Sequence, residues 1–359
     1  MSTTTPTRTT TARTAPIRTG IIGFGLSGRV FHAPFVATNP AFRLDLIATG
    51  NPERAAEARA QHPGAEIVDS PDALLARAGD LDLVVLASPA HTHLEQGLAA
   101  LDAGVGIVID KPFVPTVVDA KKLIAKAEET GRLLAVFQNR RWDGDFLTVR
   151  RLLEEGRLGA VHRFESTFER WGGPNRVRWQ DTTTIEQGAG ITYDLGSHLI
   201  DQALQLFGPA TVEQAELLRV REGSVSDDDA FISLLHSSGV RSHLTMSRAA
   251  GQSGPRFRVL GSEAAYKVYG LDNQEPFLKE QRWPGSDGYG VTPEEEWGTI
   301  GTGEPYEAVP TEAGDYPAFY AGVAASILEG APSPVDPREA LEVVRIIERA
   351  HALSAAVSD

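Results

Sequence analysis

Two rhythms of hydrophobic and polar positions divide the chain. From residue 20 to about 137, short apolar runs at 20–22, 44–48, 81–87, 106–109 and 133–137 alternate with amphipathic stretches such as 52–60 and 116–130. Apolar strands separated by helices predict a parallel sheet covered on both faces, hence a doubly wound α/β domain over residues 20–137. Beyond about residue 158 the period becomes two, in longer segments at 161–168, 212–220, 230–235, 240–246, 256–260 and 264–269 that follow one another through turns. That alternation predicts a large, mainly antiparallel open sheet with one face on a core, within an α+β domain over residues 138–359. Residues 294–310, rich in Gly, Pro and Glu, read as a surface excursion. Helices over 316–329 and 337–356 then close the chain, the second with Asp336 as N-cap and Pro337 in its first position. The sequence carries no internal repeat.

Composition narrows the partners. With 34 Lys plus Arg against 48 Asp plus Glu, the formal charge is −14, which argues against phosphate-neutralising contact with nucleic acid and for a small-molecule partner. The 42% hydrophobic and 23% charged content is that of a globular chain, and the absence of cysteine excludes disulfides, thiolate metal sites and cysteine nucleophiles. Residues 1–19, rich in Thr and Arg without an apolar core, are expected to form a disordered leader, a transit peptide being the competing reading. No stretch reaches the ~18 apolar residues of a membrane helix, so a cytoplasmic protein is expected.

The first chemical motif is Gly23-Phe24-Gly25-Leu26-Ser27-Gly28, a G-x-G-x-x-G between an apolar strand and a helix-compatible segment. Glycines there permit a tight turn and close backbone approach, and the N–H groups at the helix start receive a pyrophosphate. A plain glycine turn is the alternative, but the strand before and helix after point to a dinucleotide. The end of the second strand, through Thr49, Asn51 and Arg54, faces the ribose; it carries no acid, and Asp45 lies too far back within the strand. Arg54, in the first turn of a helix capped by Asn51, favours NADP over NAD by pairing with a 2′-phosphate, unless it is simply a solvated helix residue. Ser88, Pro89 and His93 lie in the βα turn after another strand, where ligands bind in open α/β sheets, although the histidines there, His91 above all, also fit as turn residues.

Asp110 and Lys111 follow a further strand at the same edge, with Pro112 restricting the backbone. A lysine there is either a solvated surface residue or a cation in the site. In Tyr193-Asp194-Leu195-Gly196-Ser197-His198, helical spacing puts Asp194 and His198 on one face at i and i+4. His198 then serves as general base or acid with Asp194 orienting it; a helix-start carboxylate beside a core histidine, or a pair of metal ligands, are the other readings. No third and fourth ligand follow in evident spacing, so no metal is expected.

On these residues the chain resembles the Gfo/Idh/MocA-type oxidoreductases over nearly all its length after the leader. Asp110-Lys111-Pro112 is similar to the E-K-P signature of that family with Asp for Glu, and Asp194 and His198 match its D-x-x-x-H pair. The stretches 23–35 and 139–147 resemble the branch containing NADP-dependent scyllo-inositol dehydrogenases. The resemblance implies metal-free hydride transfer between nicotinamide and a secondary alcohol or ketone of a cyclitol or sugar. Lys111 would touch the reacting oxygen and the cofactor, His198 would carry the hydroxyl proton, and Asp194 would bind hydroxyls and tune His198. Arg140, Arg141, Trp142 and Asp143 would close the substrate cleft, with Trp179 and Arg178 as further pocket candidates. A homodimer or homotetramer through the second sheet is expected from its pattern together with the family. Reduction of another carbohydrate carbonyl, or a sensor or scaffold that binds the cofactor without chemistry, are the rival functions.

Overall fold

The computed structural model describes residues 15–173 and 182–358. Six parallel strands form the first sheet: β1 (Ile17–Ile22), β2 (Phe42–Ala48), β3 (Glu66–Val68), β4 (Leu83–Leu86), β5 (Gly106–Asp110) and β6 (Leu134–Phe137). Their order, β3-β2-β1-β4-β5-β6, reverses at β1, which opens a crevice at the carboxyl ends of β1 and β4. Helices α1 (Ala33–Thr38), α2 (Pro52–Gln61), α3 (Pro71–Leu75), α4 (His93–Asp102) and α5 (Val117–Thr130) connect the strands. The apolar runs are strands because β-branched and aliphatic residues are buried on both faces; Val84, Val85, Ile107, Val108 and Ile109 have no exposed surface. β1 starts at Ile17, three residues before the expected 20, because its polar residues are matched. Arg18 pairs with Asp82 at 3.0 Å, and Thr19 donates to the Ile17 carbonyl.

After α6 (Gly144–Glu154) come β7 (Val161–Glu169), α7 (Ser197–Phe207), β8 (Ala210–Leu218), β9 (Asp229–His236), β10 (Arg241–Ser247), β11 (Phe257–Gly261) and β12 (Ala265–Val268). Then follow α8 (Gln274–Lys279), β13 (Gly298–Gly301) and β14 (Glu307–Val309). The eight strands run β14-β13-β12-β11-β7-β10-β9-β8, and every pair is antiparallel except β7 with β10. Alternation places Phe164, Ser166 and Phe168 inward and Glu165 outward, where it pairs with Arg258 of β11. The expected excursion at 294–310 instead adds two edge strands, since Ile300 and Val309 bury their side chains on the same core.

Helices α9 (Pro317–Glu329) and α10 (Pro337–Ser358) close the fold, the latter capped by the Asp336 carboxylate accepting from Arg338 N at 2.9 Å. α9 returns to the first domain: Tyr316, Phe319 and Tyr320 lie in its core with Phe35 and Phe137. The two sheets are joined by α10, which buries Leu341 and Val344 in the first core and Val343, Ile346 and Ile347 in the second. Among the described residues no helix is long and apolar enough to cross a membrane.

Candidate active site

The glycine loop is built by exclusion of side chains. A Cβ on Gly28 would lie 1.9 Å from the Gly23 carbonyl, and Gly23, at φ +94°, faces the Ala87 carbonyl at 2.5 Å by the same measure. The helix that begins here thus rests directly on the ends of β1 and β4, and its first turns, Ser27–His32, are π-helical. Over Gly25, Arg54 comes near among the described residues, its guanidinium 3.7 Å from where a Cβ would sit. A loop open at its middle glycine, with a cation at its rim, fits an anionic dinucleotide. Phe24 turns its ring into the core against His62, so it offers the loop only backbone. Asn51 uses its side-chain oxygen to cap α2 at Arg54 N, and Thr49 is buried in the turn; of the three expected at the ribose, Arg54 keeps a free-standing side chain at the glycine loop. Asp45 is occupied by Arg43.

In the turn after β4, Ser88 donates to Gln96 at 2.7 Å and accepts from Thr92 at 2.9 Å. His93 is not a ligand contact. It is buried with both ring nitrogens 2.9 Å from carbonyl oxygens, those of Phe113 and Ser88, and burial holds its imidazole below the ordinary histidine range, so the neutral ring donates to one of the two. Its position inside the fold rather than on the helix surface follows from α4 packing this first turn against the strand ends. The expectation of a cofactor contact is corrected to a tie between two ligand-edge loops.

The same edge carries Asp110 and Lys111 at the end of β5. Asp110 accepts from the Ser27 hydroxyl and from Lys111 N, with His32 Nε2 at 3.7 Å, while His32 Nδ1 meets the Tyr320 hydroxyl at 2.7 Å. Burial pushes the Asp110 carboxyl up, but His32, Lys111 and Ser27 outweigh it and hold it below the usual carboxylate range. Asp110 therefore links the glycine loop to the lysine backbone instead of pointing outward to a cofactor. Lys111 Nζ reaches across to the second domain, donating to the Asp194 carbonyl at 2.8 Å and carboxylate at 3.0 Å.

Asp194 lies in a π-helical turn, Thr192–Gly196, that runs into α7. Asp194 clamps Lys111 from this turn, and the buried His198 Nδ1 has no hydrogen-bond partner. Burial, then the charges of Lys111, Arg140, Arg256 and Arg170, push His198 well below the ordinary histidine range, so the imidazole is neutral with a lone pair available.

In the stretch after β6 the charged side chains are bonded inside the protein. Arg140 donates to Asp143 at 3.0 Å and Glu275 at 2.9 Å and lies 4.8 Å over the Phe168 ring. Arg141 grips Asp201 with two bonds and Glu339 with a third. Asp143, fully buried, also accepts from the Tyr316 hydroxyl at 2.6 Å. Trp142 packs edge-on against Phe319. Buried charges need such partners, and here they consume the groups expected to face substrate. Trp179 and Arg178 lie outside the described residues. Among the described residues no three His, Asp or Glu side chains are grouped to hold a metal ion.

Two family models match the chain: an oxidoreductase family NAD-binding Rossmann fold over residues 17–138, and an oxidoreductase family C-terminal alpha/beta domain over residues 150–355. The chain belongs to the Gfo/Idh/MocA oxidoreductase family. It is 38% identical to the uncharacterised oxidoreductase YdgJ of Escherichia coli over 92% of this chain and 94% of that protein. It is 33% identical to IolW of Bacillus subtilis, a scyllo-inositol 2-dehydrogenase (NADP(+)), over 93% of this chain and 92% of that protein. The solved structure of the Bacillus subtilis oxidoreductase yvaA matches with a TM-score of 0.88 at 33% identity, covering 96% of this chain and 97% of that one.

As in the resemblance drawn from its motifs, this Gfo/Idh/MocA oxidoreductase joins an NAD(P)-binding Rossmann domain to an α/β domain with a large open sheet. Residues missed by sequence reading are the cations around His198 that come from strand ends, Arg170 and Arg256. Arg256 is buried, bonded to Ser166 and Gln202 and 3.4 Å from Asp145. Nothing local marks it: an arginine entering a strand gives no sign that it turns into the core.

Proposed function

We propose that this oxidoreductase transfers hydride between NADP and a secondary alcohol or ketone of a cyclitol or sugar, without a metal. The observation that carries the reading is the Lys111 ammonium, held by Asp194 at the ligand edge of β5 and within electrostatic reach of a neutral His198. The glycine loop and Arg54 would hold the dinucleotide, which when bound would supply the hydride acceptor for oxidation and the hydride donor for reduction at the carbinol carbon. Lys111 donates a hydrogen bond to the substrate oxygen and stabilises the negative charge that grows on it as the hydroxyl proton leaves. His198 takes that proton on its free lone pair. In reduction the imidazolium gives it back, and the cations around it make the protonated ring a strong donor. Asp194 fixes the lysine and presents its remaining acceptor capacity to a neighbouring hydroxyl.

The names of relatives support the substrate class: besides IolW, a D-apiose dehydrogenase of Paraburkholderia graminis is 33% identical over 52% of this chain, and an inositol 2-dehydrogenase of Rhizobium meliloti is 31% identical over 72%. Arg54 beside Gly25 supports NADP. We further place the enzyme in the cytoplasm as a homodimer or homotetramer associated through the outward face of the eight-stranded sheet, where Glu165, Arg258 and Lys267 form a cross-strand row. Absorbance at 340 nm during incubation with NADP and a panel of inositols and aldoses, in both directions, is the test. Turnover with a cyclitol or sugar is expected, and silence across the panel with the cofactor bound would favour a sensor. A single 38.6 kDa species in light scattering would remove the oligomer.

A further inference from the structure

The π turn that brings Asp194 to Lys111 is anchored from behind by a residue that belongs to neither domain's motif. Asp227 lies between β8 and β9 and is buried. Its carbonyl accepts from Ile191 N at 2.7 Å, and its Oδ2 accepts from Thr192 N at 2.8 Å and from the Thr192 hydroxyl at 2.5 Å. Gly190, at φ +102°, passes so close that a Cβ there would sit 2.1 Å from Asp227 Oδ1. A carboxylate thus caps the first turn of the helix from another part of the chain, in a place only glycine can border. Two further contacts hold the turn: the Tyr193 hydroxyl donates to the Pro115 carbonyl at 2.7 Å, and His351 of α10 lies against the Tyr193 ring.

A π turn has poorer hydrogen-bond geometry than an α turn and persists only where its surroundings over-determine it. If the first turn were released, the helix would regain α spacing, and Asp194 would rotate away from Lys111 Nζ. We infer that Asp227 is a positioning residue: by bonding Thr192 and Ile191 it fixes the π turn that makes Asp194 hold Lys111. Its carboxylate is buried and bonded to Thr192, so its effect on the reaction runs through the Lys111–Asp194 pair. The inference rests on the dehydrogenase reading for its kinetic consequence, but its structural half can be read without turnover.

The test is a double-mutant cycle on the full chain with Asp227→Asn and Asp194→Asn, read in two ways. The first readout is labelling of Lys111 by pyridoxal phosphate and borohydride, followed by mass spectrometry of the peptide. Both single variants should label about tenfold faster than the parent, and the double variant no faster than either, because losing the carboxylate partner frees the amine once only. The second readout is kcat. Asp227→Asn should lower it about 100-fold, the scale of an ångström-level misplacement, with cofactor affinity unchanged, and should add nothing in the Asp194→Asn background. Thr192→Val, which removes one of the three bonds and keeps the shape, should give the same pattern at smaller amplitude and stands in if Asp227→Asn does not fold. Parent-like labelling of Lys111 in a folded Asp227→Asn or Thr192→Val protein, or effects that add to those of Asp194→Asn, would overturn the assignment. Changed labelling without any turnover would instead spare it and count against the dehydrogenase reading.

Discussion

Two charged stretches leave neighbouring strands at the same edge of the first sheet, and they have opposite fates. After β5, Lys111 crosses to one carboxylate, that of Asp194, and both stay partly open to solvent at 19% and 26% side-chain exposure. After β6, Arg140, Arg141 and Asp143 each hold two or more partners and are buried. A charge with one partner and an open side retains hydrogen-bonding capacity for a ligand. A charge that is buried and gripped by several partners has become part of the scaffold. Partner number, more than charge density in the sequence, separates the group that acts from the groups that hold.

The sharpest way to break this comparison is to remove its acting member. Lys111→Ala should lower turnover by about 1,000-fold, as loss of a preorganised donor at a developing oxyanion does. Its stability should move by less than about 1 kcal/mol, because a half-open pair contributes little to folding. Kinetics at saturating cofactor together with denaturant unfolding measure both; near-parent turnover would take the lysine out of the mechanism.

The counterpart is Arg140→Met. It leaves Asp143 and Glu275 buried without their cation, which should cost about 3–5 kcal/mol of stability and lower the unfolding midpoint accordingly in calorimetry. If the variant instead keeps the parent midpoint and loses only substrate affinity, the stretch after β6 is a substrate wall after all and the contrast with Lys111 collapses.

What the sequence made legible follows the same division. Most strands, the glycine loop and the capped helices are local patterns and lie within a few residues of where periodicity put them, whereas the short edge strands β3, β13 and β14 gave no such pattern. Lys111 and Asp194 came together as a strand end and a helix start that family likeness also marked. The internal pairing of residues 140–143 was not legible because their partners Glu275, Tyr316 and Glu339 lie 135 or more residues away and carry no local sign of pairing. The π turn at Thr192–Gly196 was not legible either, because α-helical and π-helical segments share the same local residue preferences. Phe24 and His93 sit inside cofactor-like motifs yet point into the fold, since a motif specifies backbone path more strongly than side-chain direction.

A smaller effect tests the open side of the cofactor edge. Arg54→Ala should leave folding unchanged, since the side chain lies on the surface above Gly25, and should lower the ratio of kcat/KM with NADP to that with NAD by about tenfold, the size of one lost charge-assisted contact. An unaltered ratio would make Arg54 a solvated helix residue and leave the 2′-phosphate to another group.

The smallest effect probes the buried side through pH. Asp272 accepts from Gly144 N and Gln274 N at 2.8 Å each, tying α8 to the start of α6. Burial, with Asp143 nearby, raises its carboxyl to about 7, against an unfolded value of about 3.9. Between those values the folded protein binds the extra proton, so stability from this group is fully present below the unfolded value and is lost as pH rises toward 7. Asp145, pushed up to about 6 chiefly by burial, acts in the same direction. Asp272→Asn removes the first of these protons while keeping an oxygen for a backbone N–H. Urea unfolding at about pH 5.5 and about pH 7.5 should therefore show a fall in stability on the order of 1 kcal/mol smaller in the variant than in the parent. The same slope in both proteins would mean that the buried carboxylates are as well matched in their ionised form as the arginines beside them, and that no proton is held in the scaffold after β6. Lys111→Ala should leave that slope as it is, because the pair at β5 is open enough for water to share its charge.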